Sequence, residues 1–306
     1  MKRISLILAT VLSFAFTQVS AQDFFKGANA YKAGDYATAI KEWKPIAEQG
    51  DAFAQYLLGA MYKYGEGVPQ DDTEAVKWYR LSAEQGNANA QLELGFIYSE
   101  VNGVLKDDTE AVKWFRLSAE QGNAKAQNFL GFMYHNGNGV LKDDTEAVKW
   151  LRLSAEQGYA SAQRSLGFMY DKGNGVLKDY VEAVKWYRLS AEQGDASAQS
   201  YLGFMYLKGN GVLKDDTEAL KWWRLSAVQG DIHAQNNLGL MYGNGDGVLQ
   251  DNITSHMWYN IASANGNESA GESRDKVASG MTNEDISKAT AMARECMKTK
   301  YKKCGY

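Results

Sequence analysis

Apolar residues recur along most of the chain at the three- and four-residue spacing of amphipathic helices. Across residues 51–86 this spacing forms two stretches, the first ending near Tyr64 and the second at Gly86. Between them, Gly65 and Gly67 allow the positive φ angles that a tight turn requires. The segment is therefore predicted to form two helices joined by a turn.

The same pattern returns every 36 residues. The twelve residues that begin at Ala75 recur almost unchanged from four later starting points, Ala111, Ala147, Ala183 and Ala219. A fixed period of this size is typical of stacked supersecondary units. Six copies fill residues 51–266, the last of them degenerate, and an atypical helical unit at 22–50 precedes them. Residues 267–306 are predicted to form a C-terminal helical cap, so the expected fold is all-α, built from stacked helix-turn-helix repeats.

Capping residues and helical faces can be assigned within one repeat. Asp51 suits the N-cap of the first helix, and Asp71 with Glu74 has capping-box spacing at the start of the second. The core arc of the first helix holds six residues, Ala54, Gln55, Leu58, Gly59, Met61 and Tyr62, where Gly59 is expected to permit close backbone approach. In the second helix Trp78 faces the core, whereas Arg80 lies on the solvated outer face.

The N-terminus has the form of a signal peptide. Lys2 and Arg3 precede an apolar run from Ile4 to Phe16, and small residues at 19 and 21 suit cleavage after Ala21. The apolar run is shorter than the roughly 20 residues of a membrane span. Residues 1–21 are therefore predicted to be cleaved, which leaves a periplasmic or secreted protein without a membrane span.

Charge and cysteine content limit the partners. The formal net charge is −4, and it becomes −6 when Lys2 and Arg3 are removed. A mildly acidic chain lacks the basic surface that nucleic acids require, so nucleic acid is not an expected partner. In an oxidising compartment Cys296 and Cys304 are expected to form a disulfide; two free thiols are the alternative.

The repeat resembles the Sel1-like repeat family, a relative of the tetratricopeptide repeats. The motif runs Ala54-x3-Leu58-Gly59-x2-Tyr62-x2-Gly65-x-Gly67-Val68-x2-Asp71-x3-Ala75-x2-Trp78-Tyr79-x3-Ala83-x2-Gly86. It covers about residues 24–266. The resemblance implies a right-handed α-solenoid that acts as an adaptor in periplasmic signalling control, envelope assembly or contact between bacterium and host.

The arc of the first helix opposite the core is the predicted partner-binding surface, because first helices of such hairpins line the concave side. One place on this arc, which we name the ladder position, carries mostly phenylalanine: Ala60, Phe96, Phe132, Phe168, Phe204 and Leu240. Variable residues beside it complete the candidate site, namely Tyr56, Asn128, Arg164, His135, Lys172 and Lys208. Aromatic anchors flanked by polar groups are typical of protein recognition, although these rings could instead pack between repeats.

Catalytic, metal and cofactor sites are not predicted. The three histidines, His135, His233 and His256, stand at unrelated phases without a second ligand at helical spacing, and are interpreted as surface or packing residues. Ser273 and Lys276 match the Ser-x-x-Lys motif of penicillin-binding proteins and β-lactamases, but its companion motifs are absent. The main hypothesis is an exported protein-interaction scaffold. The alternatives are a hydrolase of β-lactams or peptidoglycan, and a secreted factor that contacts host proteins.

Overall fold

A computed structural model describes residues 23–100 and 106–304, so the predicted signal peptide lies outside the described residues. The described residues form sixteen helices and no strand. Contacts between Cα atoms divide the chain into two compact units, unit 1 ending at Lys142 and unit 2 beginning at Asp143. The boundary falls between the two helices of the third repeat.

Unit 1 contains the atypical N-terminal segment, the first two repeats and the first helix of the third. Its helices are α1 (23–32), α2 (Tyr36–Glu48), α3 (Ala52–Tyr64), α4 (Asp72–Glu84), α5 (Ala88–Ser99), α6 (Asp108–Glu120) and α7 (Ala124–Asn136). We call the first helix of each repeat its A helix and the second its B helix, so α3, α5 and α7 are A helices.

Unit 2 completes the third repeat and contains three more repeats and the C-terminal segment. Its helices are α8 (Asp144–Glu156), α9 (Ala160–Lys172), α10 (Tyr180–Glu192), α11 (Ala196–Lys208), α12 (Asp216–Ala227), α13 (Ile232–Asn244), α14 (Asn252–Ala264), α15 (Glu268–Ala278) and α16 (Asn283–Lys298). The A helices here are α9, α11 and α13. The predicted fold class, an all-α array of helix-turn-helix repeats with a 36-residue period, is confirmed.

Helix ends follow the residues that the sequence singles out. The Asp51 carboxylate accepts a hydrogen bond from the Ala54 amide at 2.7 Å, and Gly65 ends α3 in the left-handed region with φ of 69°. Asp71 caps α4 through the amides of Thr73 and Glu74. The reciprocal half of the capping box is absent at this helix: the Asp71 amide already donates to a main-chain carbonyl, and Glu74 pairs with a lysine one turn later.

In five of the six repeats the core contains an aromatic ring of the B helix seated on a glycine of the A helix, and Leu151 takes the place of the ring in the third. A Cβ atom on Gly59 would lie 2.6 Å from the ring of Tyr79, and one on Gly203 would lie 2.7 Å from the indole nitrogen of Trp223. The sequence predicted close backbone approach at these glycines. The structure instead uses the missing side chain to admit the ring of the B helix, which is 1% exposed at both Tyr79 and Trp223.

Two hydrogen bonds recur where one repeat meets the next. The first joins an arginine on a B helix to a tyrosine hydroxyl on the following A helix, as in Arg188 donating to Tyr206; Arg80, predicted to face solvent, likewise donates to Tyr98. The second runs from a buried glutamine amide to a carbonyl near the end of the preceding B helix. Its members are Gln55 to Ala47, Gln91 to Ala83, Gln127 to Ala119, Gln163 to Ala155, Gln199 to Ala191 and Gln235 to Ala227.

Candidate partner-binding face

The predicted ladder of phenylalanines divides into open and covered rings. Phe132 in unit 1 is 53% exposed, and Phe204 in unit 2 is 45% exposed. Phe96 and Phe168 are only partly exposed. The structure therefore leaves Phe132 and Phe204 available for a partner, whereas Phe96 and Phe168 are partly occupied by packing.

One residue of the following A helix accounts for the difference. We call it the facing position, and it lies 33 residues after the ladder position: Phe129 faces Phe96 with ring centroids 4.7 Å apart, and Tyr201 faces Phe168 at 6.5 Å. Asn237 holds the facing position after Phe204. An amide side chain cannot cover a phenyl ring as an aromatic ring does, so Phe204 stays open.

The residues at the start of the outer arc contact protein rather than solvent. The Tyr56 ring packs against those of Phe53 and Tyr79, at centroid distances of 6.0 and 5.9 Å, and its burial raises the pKa of the phenol. Asn128 is 8% exposed. Arg164 donates from Nε to the Asp195 carboxylate at 3.1 Å, and Asp195 is the N-cap of the next A helix. These three positions serve contacts inside each unit, and little of them remains for a partner.

The residues at the end of the arc are more accessible. The Lys208 ammonium lies 5.8 Å from the centre of the exposed Phe204 ring, four residues earlier on α11. Lys172 stands in the same relation to Phe168 at 5.7 Å, but it also pairs with the Asp171 carboxylate at 2.8 Å. His135 is partly exposed at the end of α7. Phe204 with Lys208 is thus the most open aromatic and cationic pair among the predicted residues.

Some accessible apolar residues were not predicted from the sequence. Tyr64 at the end of α3 is 63% exposed, and Phe53 at its start is 47% exposed. The loops between the A and B helices of the last four repeats each expose a leucine, and Leu177 and Leu213 are both 91% exposed. Each of these leucines follows a Gly-x-Gly-Val turn, a pattern that predicts a helix break but does not by itself indicate an exposed apolar residue.

A cleft lies between α13 and α15 in unit 2. Its volume is about 420 Å³, and Leu240 from the ladder lines one side. Ser273 and Lys276 of the Ser-x-x-Lys motif line it as well, together with Tyr259. The structure therefore places the motif on an accessible site, which the sequence alone did not indicate.

The cleft does not pair the motif serine with its lysine. Among the described residues, the Ser273 hydroxyl forms no hydrogen bond with Lys276, the residue that takes the serine proton in a Ser-x-x-Lys enzyme. Ser273 interacts instead with Tyr259, whose pKa is raised, mainly by burial. Elsewhere, His256 is buried and its pKa is lowered, mainly by burial and then by the nearby Arg274 charge. Within the described ranges, no three His, Cys, Asp or Glu side chains come together as a metal site would require.

The two cysteines meet at the C-terminal end of unit 2. Cys296 on α16 and Cys304 have Cα atoms 4.5 Å apart, a separation that suits a disulfide. Both are buried in a cluster that includes Trp258 and the partly buried Tyr301. A bond between them would secure the residues after α16 against the last repeat.

The repeats match a known family over most of the chain. A family model described as Sel1 repeat matches six successive segments, residues 52–87, 88–123, 124–159, 160–195, 196–231 and 232–267. The chain belongs to the Sel1 repeat family. Sel1 repeats mediate protein–protein interaction, and proteins built from them are generally interaction scaffolds. Among the described residues, no helix of this family member combines the length and apolar character needed to cross a bilayer.

The chain is similar to one solved structure over most of its length and to two curated proteins over short stretches. A Sel1 repeat protein from Oxalobacter formigenes, known from its crystal structure, is 38% identical; the match covers 78% of this chain and 96% of that one, with a TM-score of 0.71. Two exopolysaccharide production negative regulators match shorter stretches. The protein from Rhizobium leguminosarum bv. viciae is 43% identical over 54 residues, and that from Rhizobium meliloti (strain 1021) is 39% identical over 49. These matches cover 17% and 16% of this chain, and about a fifth of each curated relative.

Proposed function

We propose that this protein is an exported scaffold that holds a segment of a partner protein against the outer arc of its A helices. The observation that carries the proposal is the exposed Phe204 ring with the Lys208 ammonium over it. An exposed aromatic ring on a rigid helix is the anchor that protein interfaces use most, and a cation beside it adds affinity for an acidic or polar segment. Phe132 offers a second such anchor in unit 1.

Site-specific photo-crosslinking tests this proposal. A photoreactive phenylalanine analogue in place of Phe204 is expected to capture one defined partner in living cells. The matched control is Leu225 on the B helix α12, which is 43% exposed and so equally accessible to the reagent. Phe204→Ala is expected to abolish that capture and Leu225→Ala to preserve it. Equal capture from both sites, or capture unaffected by Phe204→Ala, would refute the proposed face.

Export to an oxidising compartment is the second part of the proposal. The charged and apolar pattern of residues 1–21 supports it, and so does the buried pair of Cys296 and Cys304, since disulfides persist outside the cytosol. We expect mature protein that begins at Gln22, is released by osmotic shock, and resists alkylation until it is reduced. A full-length protein with freely alkylated cysteines in the cytosol would contradict export.

Within the envelope we favour a regulatory role over assembly or host contact. The rhizobial relatives are negative regulators of exopolysaccharide production, and their matches to this chain support regulation as the type of task. A membrane sensor captured at the Phe204 site would fit this role. An envelope assembly component or a host protein captured at the same site would argue for the other two.

A hydrolase is the second candidate, because Ser273, Lys276 and Tyr259 line one cleft. The reaction would be attack of the serine hydroxyl on a β-lactam or peptide carbonyl. Turnover of a chromogenic β-lactam by purified protein, lost in Ser273→Ala, would establish this function in place of the first. We expect no turnover, because the Ser273 hydroxyl is not hydrogen-bonded to Lys276, which would have to take the serine proton.

A further inference from the structure

Helix α15 occupies the place of an A helix in a seventh, incomplete repeat. The Asn267 side chain caps it by accepting from the Ala270 amide at 3.0 Å, as Asp231 accepts from Ala234 at 2.8 Å in α13. Ala270 and Ala234 are both completely buried. Because the two caps are 36 residues apart, the repeat frame continues through α15. Lys276 therefore holds the ladder position, where earlier repeats mostly carry phenylalanine, and Ser273 holds the facing position.

These substitutions explain why a cleft exists at this junction. Where α9 meets α11, the rings of Phe168 and Tyr201 fill the space between ladder and facing positions. Where α13 meets α15, the same two positions carry Leu240 and Ser273, which are smaller. The space remains open as the cleft of about 420 Å³, a volume within the usual range for sites that bind small groups.

The cleft combines an apolar side with an exposed lysine. Leu240 and Val277 supply the apolar side, and the Asn244 amide, which donates to the Asp246 carboxylate at 3.0 Å, lies at its edge. The carboxylate of Asp275 is held by the Arg274 guanidinium through two bonds, of 2.7 and 2.8 Å. Among the residues that the structure describes, no carboxylate reaches Lys276 at ion-pair distance, so its ammonium is available to a ligand.

We propose that this cleft binds a carboxylate group attached to an apolar residue, with the carboxylate on Lys276 and the side chain between Leu240 and Val277. The inference rests on the proposed function, since α11, α13 and α15 are successive A-type helices. A partner segment anchored at Phe204 and Lys208 would next meet this cleft. The carboxylate is then the C-terminus of that segment, and the apolar side chain is that of its last residue.

Three small probes test the cleft in the full mature protein: N-acetyl-leucine, its uncharged amide, and N-acetyl-glutamate amide. Binding is followed by titration of methyl resonances in protein labelled at Leu and Val methyl groups. We expect N-acetyl-leucine to shift the Leu240 and Val277 signals saturably, and its amide to bind about tenfold more weakly, because a charge-assisted bond is lost. Stronger binding of N-acetyl-glutamate amide than of N-acetyl-leucine would overturn the proposal, because the preferred carboxylate would then belong to an acidic side chain and not to a C-terminal apolar residue.

Two variants connect the binding to named residues. Lys276→Met removes the charge at similar side-chain length and is expected to weaken the binding of N-acetyl-leucine about tenfold. Lys288→Met, on the exposed side of α16, should leave that affinity unchanged. Ser273→Tyr, which restores the ring found at the facing position of α11, should block the cleft. Equal binding of acid and amide, or binding unchanged in Lys276→Met, would overturn the proposal. Because these probes need no partner, their result is independent of crosslinking at Phe204.

Discussion

Replacing Phe96 and Phe204 with alanine separates a ring that packs from a ring that is free to bind. Both hold the ladder position, but Phe96 contacts Phe115 and Phe129 at centroid distances of 5.3 and 4.7 Å, whereas Phe204 is 45% exposed. Removing a fully buried phenylalanine lowers the free energy of unfolding by about 3–5 kcal/mol. Because Phe96 is partly exposed, we expect Phe96→Ala to lower it by about 3 kcal/mol, the lower end of that range. Phe204→Ala removes a half-exposed ring and should cost about 1 kcal/mol.

The comparison is made by urea unfolding followed by tryptophan fluorescence, with each variant referred to the unchanged protein. A double-mutant cycle adds a second test. The Phe96→Ala, Phe129→Ala double variant should lose less unfolding free energy than the two single variants lose in sum, by about 0.5–1.5 kcal/mol for an edge-to-face ring pair. Additive losses at Phe96 and Phe129, or a larger loss at Phe204 than at Phe96, would refute the rule that the facing position decides which rings are covered.

Three further predictions follow from the same structure. Asn237→Phe should cover Phe204, stabilise the protein by about 0.5–1 kcal/mol and reduce partner capture; capture at full strength would contradict the covering. Gly203→Ala should lower the thermal midpoint although alanine favours helices by about 1 kcal/mol, because its Cβ would overlap the indole ring; a rise would contradict the overlap. The unfolding free energy should fall as pH drops below about 6.5, because unfolding frees His256 from its lowered pKa and lets it bind a proton. His256→Gln should reduce this dependence, measured as the thermal midpoint at pH 7.5 and 5.5, and the exposed His233→Gln should not.

The repeated framework could be predicted from the sequence because short-range chemistry determines it. Asp51 caps the start of α3, Gly65 ends that helix, and the 36-residue period determines which residues face the core. All three depend on neighbours within a few residues, so the helix bounds and the fold class could be derived without coordinates. Arg80 shows where prediction from short-range patterns fails. Its place on the helix predicts exposure to solvent, whereas its guanidinium donates to a tyrosine hydroxyl in the next repeat.

The candidate site was harder to predict because it depends on pairs of residues far apart along the chain. Whether Phe96 or Phe204 is open follows from the residue 33 places later, and that offset becomes visible only once two A helices are seen side by side. The cleft at Ser273 depends on a further fact: α15 continues the repeat frame although its sequence has lost the family motif. A weak helix cap at Asn267 was the one local sign of it.

The bonds between successive repeats bear on how such a chain can change in length. Each junction between two of the six repeats uses the same two connections, arginine to tyrosine and glutamine to carbonyl, at the same spacing in sequence. Unequal recombination between near-identical coding segments, adding or removing 36 residues, would join a B helix to an A helix that already carries the matching groups. The number of repeats can therefore vary between lineages in single steps, and with it the number of ladder positions offered to a partner, without any new interface having to evolve.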